Sequence, residues 1–368
     1  MASGSIPGMQ APQKKSRLWR FVKRVLIGIV LLLVCAALAG AAYQAIANWR
    51  DGRRFPQEGR SIALGAEFPG VSLSMNCVGQ GSPTVILDTG LGVPAAGWDL
   101  VMPDVAKFAR VCSYDRAGYG WSSAGPMPRT SDEIVKELHA LLAASGEKGP
   151  FVLVGHSFGG YNVRVYVGKY PADVAGLVLV DASQEDQQRL MSPSLKKLSE
   201  DQIKQLDSPQ ARLMPILVFF GIMRLTAGDD SDGKLSKGFR DKMKYLHLQT
   251  KSIDSTFSEI KSFSQSADEV RHAGNLGDRP LVVLTAGKDL DPKDMPGISS
   301  EDLQEFHKVW VNDLQVREAR LSTRGKQVVV PDSAHMIPWE RPDAVVNAIR
   351  AVCDAVKAGS RTQKLKNC

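Results

Sequence analysis

The main body of this sequence predicts an α/β fold with a mostly parallel sheet, helices on both faces and a helical insertion over one sheet edge. Three observations predict it. From about residue 70, short apolar runs alternate with amphipathic stretches, which is the pattern of strands alternating with helices. The runs are β-branched and nearly continuous in apolar character, as strands buried on both faces must be. One long interval, between Val180 and Leu281, is polar and helix-forming and lacks any strand pattern.

The N-terminus stands apart from that body. The chain of 368 residues has 43% apolar and 23% charged residues, ordinary values for a globular protein. Its net charge of +7 is unevenly placed. Lys14, Lys15, Arg17, Arg20, Lys23 and Arg24 precede every acidic residue, and without them 40 basic residues face 39 acidic ones. The body is therefore near neutral, and its composition gives no support for the basic face that a nucleic-acid surface needs. After Arg24 comes an unbroken apolar run, Val25 to Ala42, followed by Tyr43. Eighteen helical residues span roughly 27 Å, close to a bilayer's hydrocarbon thickness. The reading is a basic cytoplasmic segment over 1–24 and a transmembrane signal-anchor helix over 25–43, with the rest of the chain sent across. Cleavage at Ala37-Leu38-Ala39 or Ala39-Gly40-Ala41, giving a secreted body, stays open as the alternative. Residues 44–67 lack clear periodicity and read as a linker; residues 1–13 and 359–368 read as loose tails.

In the body, the expected strands are Val71–Val78, Thr84–Asp88, Val111–Tyr114, Phe151–Val154, Leu177–Val180, Leu281–Thr285 and Gln327–Val330. Thr130-Ser131-Asp132-Glu133 is a capping box that opens a helix through Leu142. Pro342 stands near the start of a final helix that Gly359 could end. The insertion, about 184–276, follows a strand's C-terminal end and so is placed to cap a site. Its apolar patch Leu213–Met223 is too short to span a bilayer. Phe219 and Phe220 in that patch are candidates for a substrate pocket, with packing inside the cap or contact with the membrane as the alternatives.

Gly155-His156-Ser157-Phe158-Gly159 matches G-x-S-x-G. The pattern is short, but a strand precedes it and a helix from Gly160 follows it, which is the context a nucleophile elbow needs. Ser157 would then sit at a helix N-terminus, where developing negative charge is favoured. Of six histidines, only His335 follows a strand, in the loop before the last helix. Loops beyond the C-terminal ends of parallel strands gather at one edge, so Ser157 and His335 can meet there. The third member should be an acid after a late strand. Asp289 is the first choice and Asp181, after the strand ending at Val180, the alternative.

Further segments carry a family resemblance. Tyr114-Asp115-Arg116-Ala117-Gly118-Tyr119-Gly120-Trp121-Ser122 resembles the D-x-R-G-x-G-x-S segment of α/β-hydrolases, and Ser333-Ala334-His335-Met336-Ile337-Pro338 resembles their terminal G-H-x-x-P. The resemblance covers residues 70–358 and implies an α/β-hydrolase domain over 68–358, with an eight-stranded type of sheet. The family's His-Gly pair after the third strand is Thr89-Gly90 here, which leaves the backbone N–H groups of Leu91 and Phe158 as the oxyanion hole. The implied activity is acyl transfer to water through Ser157, Asp289 and His335 on a small-molecule ester, with no cofactor. Metal or nucleotide chemistry lacks its signatures: H-E-x-x-H, a Walker A loop and a nicotinamide fingerprint do not occur. A cofactor-free perhydrolase or haloperoxidase and a prolyl-type aminopeptidase use similar triads, and a non-catalytic binding module on a membrane anchor is the reading from another class. In the family's strand order Cys77 and Cys112 lie on neighbouring strands, which allows a disulfide in an exported domain; two buried free thiols are the alternative.

Overall fold

The central apolar runs become strands because they are covered on both sides. The computed structural model describes residues 17–226, 235–293 and 295–366. Its strands are β1 (Arg60–Ala63), β2 (Ser72–Val78), β3 (Val85–Asp88), β4 (Val111–Tyr114), β5 (Phe151–His156), β6 (Val174–Val180), β7 (Leu281–Ala286) and β8 (Gly325–Val330). They form one eight-stranded sheet in the order β1-β2-β4-β3-β5-β6-β7-β8. Only β1–β2 and β2–β4 pair antiparallel; from β4 to β8 every pairing is parallel. Every residue of β3, β4, β5 and β7 is buried.

Helices cover both faces. In chain order they are α1 (Arg17–Arg54), α2 (Met102–Val105), α3 (Ser131–Ser145), α4 (Gly159–Lys169), α5 (Gln187–Leu190), α6 (Pro193–Gln205), α7 (Pro209–Phe219), α8 (Ile222–Thr226), α9 (Lys237–His247), α10 (Thr250–Lys261), α11 (Phe263–Arg271), α12 (Ser300–Val309), α13 (Gln315–Ala319), α14 (Ile337–Glu340) and α15 (Pro342–Lys366). Alternation along the strands divides the core. Ile86, Leu153 and Leu177 face Ile134, Leu138 and Tyr161 of α3 and α4. Val85, Val152 and Val178 face Val105 of α2 and Val345, Ile349 and Val352 of α15. The N-cap half of the expected capping box forms: the Glu133 N–H donates to the Thr130 hydroxyl at 3.3 Å, while the Glu133 carboxylate accepts from Lys136 at 2.6 Å. The helix then runs past Leu142 to a left-handed Gly146. Helices α5 to α11 fill the interval between β6 and β7 as a cap.

Several expectations change. The stretch 44–67 is not a linker throughout, because α1 continues to Arg54 and β1 follows at Arg60. The helix persists because its far end is docked. Gln44, Ala47 and Asp51 lie on one helical face and are buried. Arg224 of α8 donates to Gln44 at 3.0 Å, to Asn48 at 2.8 Å and to the Asp51 carboxylate. Strand β1 has no pattern in the sequence because it is short, and only Ile62 of its four residues is buried. At the opposite edge, β8 leaves Val328 and Val329 exposed rather than covered. Helix α15 passes Gly359 without ending and reaches Lys366. The expected loose segment 1–13 lies outside the described residues.

Register settles the cysteines. Cys77 on β2 is directly opposite Cys112 on β4, and the two are joined as a disulfide closing 35 residues of sequence. Cross-linking a loop of that size restricts the unfolded chain. Cys77→Ser should therefore lower the unfolding free energy by about 2–4 kcal/mol. Urea unfolding without reductant measures it, and coincident wild-type and variant curves would show that the bridge contributes nothing.

Candidate active site

Strand β5 delivers Ser157 to the C-terminal edge of the sheet, and α4 begins two residues later. Ser157 has φ of 51° and Asp181 φ of 41°; they are the only non-glycine residues in the left-handed region among the described residues. That backbone costs a side-chain-bearing residue about 1–2 kcal/mol, so something must hold it. The Ser157 N–H donates to the Val180 carbonyl at 3.1 Å, and its carbonyl accepts from Gly160 at 2.9 Å and Ser183 at 3.0 Å. The glycines leave room for the turn. A Cβ on Gly155 would stand 2.5 Å from the Gly159 carbonyl oxygen, and one on Gly159 would stand 2.5 Å from that of Asp88.

His335 stands in the loop between β8 and α14. Three bonds fix that loop: Ala334 N–H to Glu340 at 2.8 Å, Lys288 N–H to the Ser333 carbonyl at 3.0 Å, and His156 Nε2 to the His335 carbonyl at 3.0 Å. His335 Nδ1 meets Asp181 Oδ2 at 2.6 Å. Asp181 Oδ1 accepts from the Ala286 N–H at 2.9 Å and from the Trp310 indole at 2.8 Å. Burial alone would raise the Asp181 carboxyl, but the bonds from His335, Trp310 and Ala286 prevail and hold it below its ordinary range. It is an anion in place behind the imidazole. No hydrogen bond joins the Ser157 hydroxyl to His335 among the described residues; in ligand-free enzymes such contacts are often long and tighten on substrate.

Asp289, the acid expected first, is not at the imidazole. Gly287 and Lys288 donate to the Val330 and Ser333 carbonyls, so the backbone after β7 follows the β8 side and carries Asp289 outward. Its side chain is 76% exposed and lies 3.8 Å from His307. The alternative, Asp181, occupies the position instead, because its place directly after buried β6 turns it over the end of β7.

Opposite the elbow, Gly90 lies so near that a Cβ there would be 3.2 Å from the Ser157 Cβ. Leu91 follows it, and the N–H groups of Leu91 and Phe158 have no hydrogen-bond partner among the described residues. Arg116 sets this loop. Its guanidinium donates to the carbonyls of Thr89 at 2.8 Å and Gly90 at 2.9 Å, to Asp88 at 2.8 Å, and through two nitrogens to Glu259 of α10 at 2.8 and 3.0 Å. All three charges are buried. With both Thr89 and Gly90 carbonyls turned to Arg116, the following amide is left for a ligand. Phe219 and Phe220 do not join the site: Phe219 lines a crevice between α1 and the cap, and the Phe220 carbonyl packs on Gly40.

Three residues of the site have no role assigned by the sequence. Arg116 stands in the family-like segment after β4, Trp310 sits in a π-helical turn over 310–314, and His156 lies inside the elbow motif. Since the His335 carbonyl can only accept, His156 Nε2 carries the hydrogen. Burial, with His335 beside it, lowers the His156 imidazole to about 3. A histidine in the unfolded chain titrates near 6.5, so between those values the unfolded state binds a proton that the folded state does not. This contribution to stability is complete above pH ~6.5 and is lost as pH falls. His156→Asn, whose amide can still donate to His335, should weaken that acid dependence by about 2–3 kcal/mol between pH ~6.5 and ~4.5. Urea midpoints at the two pH values provide the comparison; equal slopes for wild type and variant would remove His156 from the account.

Comparison with known proteins agrees with this architecture. The sequence model of the alpha/beta hydrolase family matches residues 85–348. An uncharacterized protein of Bacillus subtilis, YqjL, is 34% identical over 108 residues, which is 29% of this chain and 43% of that protein. The chain spans 40% to 50% of the length of the first curated relatives it matches. A thermophilic esterase from Thermogutta terrifontis superposes with a TM-score of 0.54 at 22% identity, covering 81% of this chain and 98% of the esterase. Cfl2 from Burkholderia cenocepacia gives a TM-score of 0.59 at 19% identity over 78% of this chain and 94% of its own. At such identities the two structures speak for the fold alone. With the family match spanning most of the body, the chain belongs to the alpha/beta hydrolase family.

Proposed function

We propose that this enzyme is a serine hydrolase that cleaves carboxylic esters or related acyl bonds through Ser157, His335 and Asp181. The observation that carries the reading is the Asp181–His335 hydrogen bond at the same sheet edge as an elbow serine flanked by two unengaged amides. As the Ser157 oxygen bonds to the acyl carbon, its proton passes to His335 Nε2, and Asp181 steadies the imidazolium through Nδ1–H. The carbonyl electrons move onto the oxygen, which the N–H groups of Leu91 and Phe158 would receive, a contribution of ~3 kcal/mol for each donor. His335 then gives its proton to the departing alkoxide, which leaves as the alcohol. Water, deprotonated by His335, attacks the acyl-enzyme and releases the acid and free Ser157.

Topology belongs to the same proposal. The N-terminal helix is long and apolar enough to cross a membrane, and basic residues lie on its N-terminal side. The Cys77–Cys112 bridge suits an oxidising compartment, which supports a catalytic body on the non-cytoplasmic side. A helix docked on the cap from Gly40 onward supports an anchor that is retained.

Two outcomes are expected. Ser157→Ala should lower kcat on short p-nitrophenyl esters by about 10⁴–10⁶ and abolish fluorophosphonate labelling. Asp181→Asn should cost about 10⁴, whereas Asp289→Asn should stay near wild type. Comparable losses at Asp181 and Asp289 would reopen the choice of acid, and an active Ser157→Ala protein would end the scheme. For topology, a C-terminal alkaline phosphatase fusion should be active and a C-terminal fluorescent-protein fusion dark; the opposite pattern would place the body in the cytoplasm.

A further inference from the structure

Outside α1, five of the ten large apolar side chains that are exposed among the described residues fall within one short stretch, Leu213 to Leu225. Leu213, Ile216 and Phe219 recur at three-residue spacing on α7, and Ile222 and Leu225 continue the series on α8. They are 43% to 69% exposed. A cluster of this kind in water is unfavourable and marks a surface that something covers.

The position of the cluster on α1 identifies the cover. The apolar run of α1 ends at Ala42, and the cap meets the helix at that level. A Cβ on Gly40 would stand 2.5 Å from the Phe220 carbonyl oxygen, and one on Gly221 would stand 2.9 Å from the Tyr43 ring. Backbone thus packs against backbone, and the Arg224 contacts to Gln44, Asn48 and Asp51 prevent rotation about it. Below this level α1 is apolar and exposed all round, with Leu31, Leu32 and Leu33 among its outward residues. The exposed faces of α7 and α8 therefore continue the apolar surface of the helix at the end of its span. Tyr43 sits at the junction, 40% exposed, as aromatic residues do at a bilayer interface.

The geometry points to a second membrane contact: the α7–α8 face of the cap lies in the bilayer interface beside α1, with lipid as its occupant. The inference rests on α1 as a membrane anchor and goes beyond the proposed reaction. It makes the anchor part of a rigid two-point attachment that holds the cap at a fixed height and tilt over the lipid.

The test uses the full chain in lipid nanodiscs, in a Cys35→Ser, Cys368→Ser background that leaves the Cys77–Cys112 bridge and buried Cys353 in place. Single cysteines introduced by Phe219→Cys, Ile222→Cys, Leu31→Cys or Lys204→Cys carry a polarity-sensitive fluorophore, with nitroxide-labelled lipids as quencher. Leu31 reports the anchor, and Lys204, exposed on α6, reports the water-facing cap. Loss of emission at 31, 219 and 222 but not at 204 is expected. Quenching at 31 without quenching at 219 and 222 would overturn the second contact and leave the anchor standing. No quenching at 31 would remove the anchor and the inference together. Shielding of 219 and 222 only through cross-linkable contact between two copies would assign the face to self-association instead.

Discussion

The site depends on the parallel register of β5 and β6. Gly155 lies beside Leu179 and His156 beside Val180, so the two strands end together and both next residues, Ser157 and Asp181, turn through the left-handed region. Each turn would be unfavourable alone, by about 1–2 kcal/mol. They are tied to the sheet instead: Ser157 N–H donates to the Val180 carbonyl and Asp181 N–H to the Leu284 carbonyl. Strain at these two positions is thus set against bonds that the sheet already orders, and it directs two side chains toward one edge. His335 is brought in from β8 to meet them, through bonds to both its backbone and its ring.

Arg116 extends this constraint to the cap. Burying three charges costs desolvation that ion pairing only partly offsets, so the Asp88–Arg116–Glu259 cluster is a poor device for stability alone. Its value is positional. One guanidinium holds the carbonyls of Thr89 and Gly90 beside Ser157, a carboxylate at the end of β3 and a carboxylate on cap helix α10. Asn162 of α4 donates to the same Asp88 at 3.1 Å, which brings the elbow helix into the network. Sheet, elbow and cap therefore share one hydrogen-bonded centre, and a shift of α10 would be felt at the loop that carries the Leu91 amide.

The cap is tied at its other side to α1. Small residues allow the close approach at Gly40 and Gly221, and polar side chains over the next three turns converge on Arg224. If α1 is the membrane anchor proposed above, a joint of this kind would orient the domain as well as tether it. The mouth of the site is then fixed relative to α1 by the same chain of contacts that runs from Arg224 through the cap to Glu259 and Arg116.

What the sequence determined by itself was whatever local periodicity and spacing encode: the apolar run of α1, the alternation of strand and helix, the capping box, and an elbow serine and loop histidine after the right strands. These are legible because each depends on neighbours within a few residues. Which of Asp181 and Asp289 meets the His335 ring was not legible, since both follow buried strands. The choice turns on Gly287 and Lys288 bonding toward β8, which involves residues more than forty positions away. The same holds for α1: residues 44–54 have a docking face only when Arg224 of the cap is beside it. The disulfide needed the β2–β4 register, and Arg116, Trp310 and His156 acquired their places from partners distant in the chain. Tertiary structure decided these because hydrogen bonds between strand ends and loops are set by sheet register, which no short stretch of sequence contains.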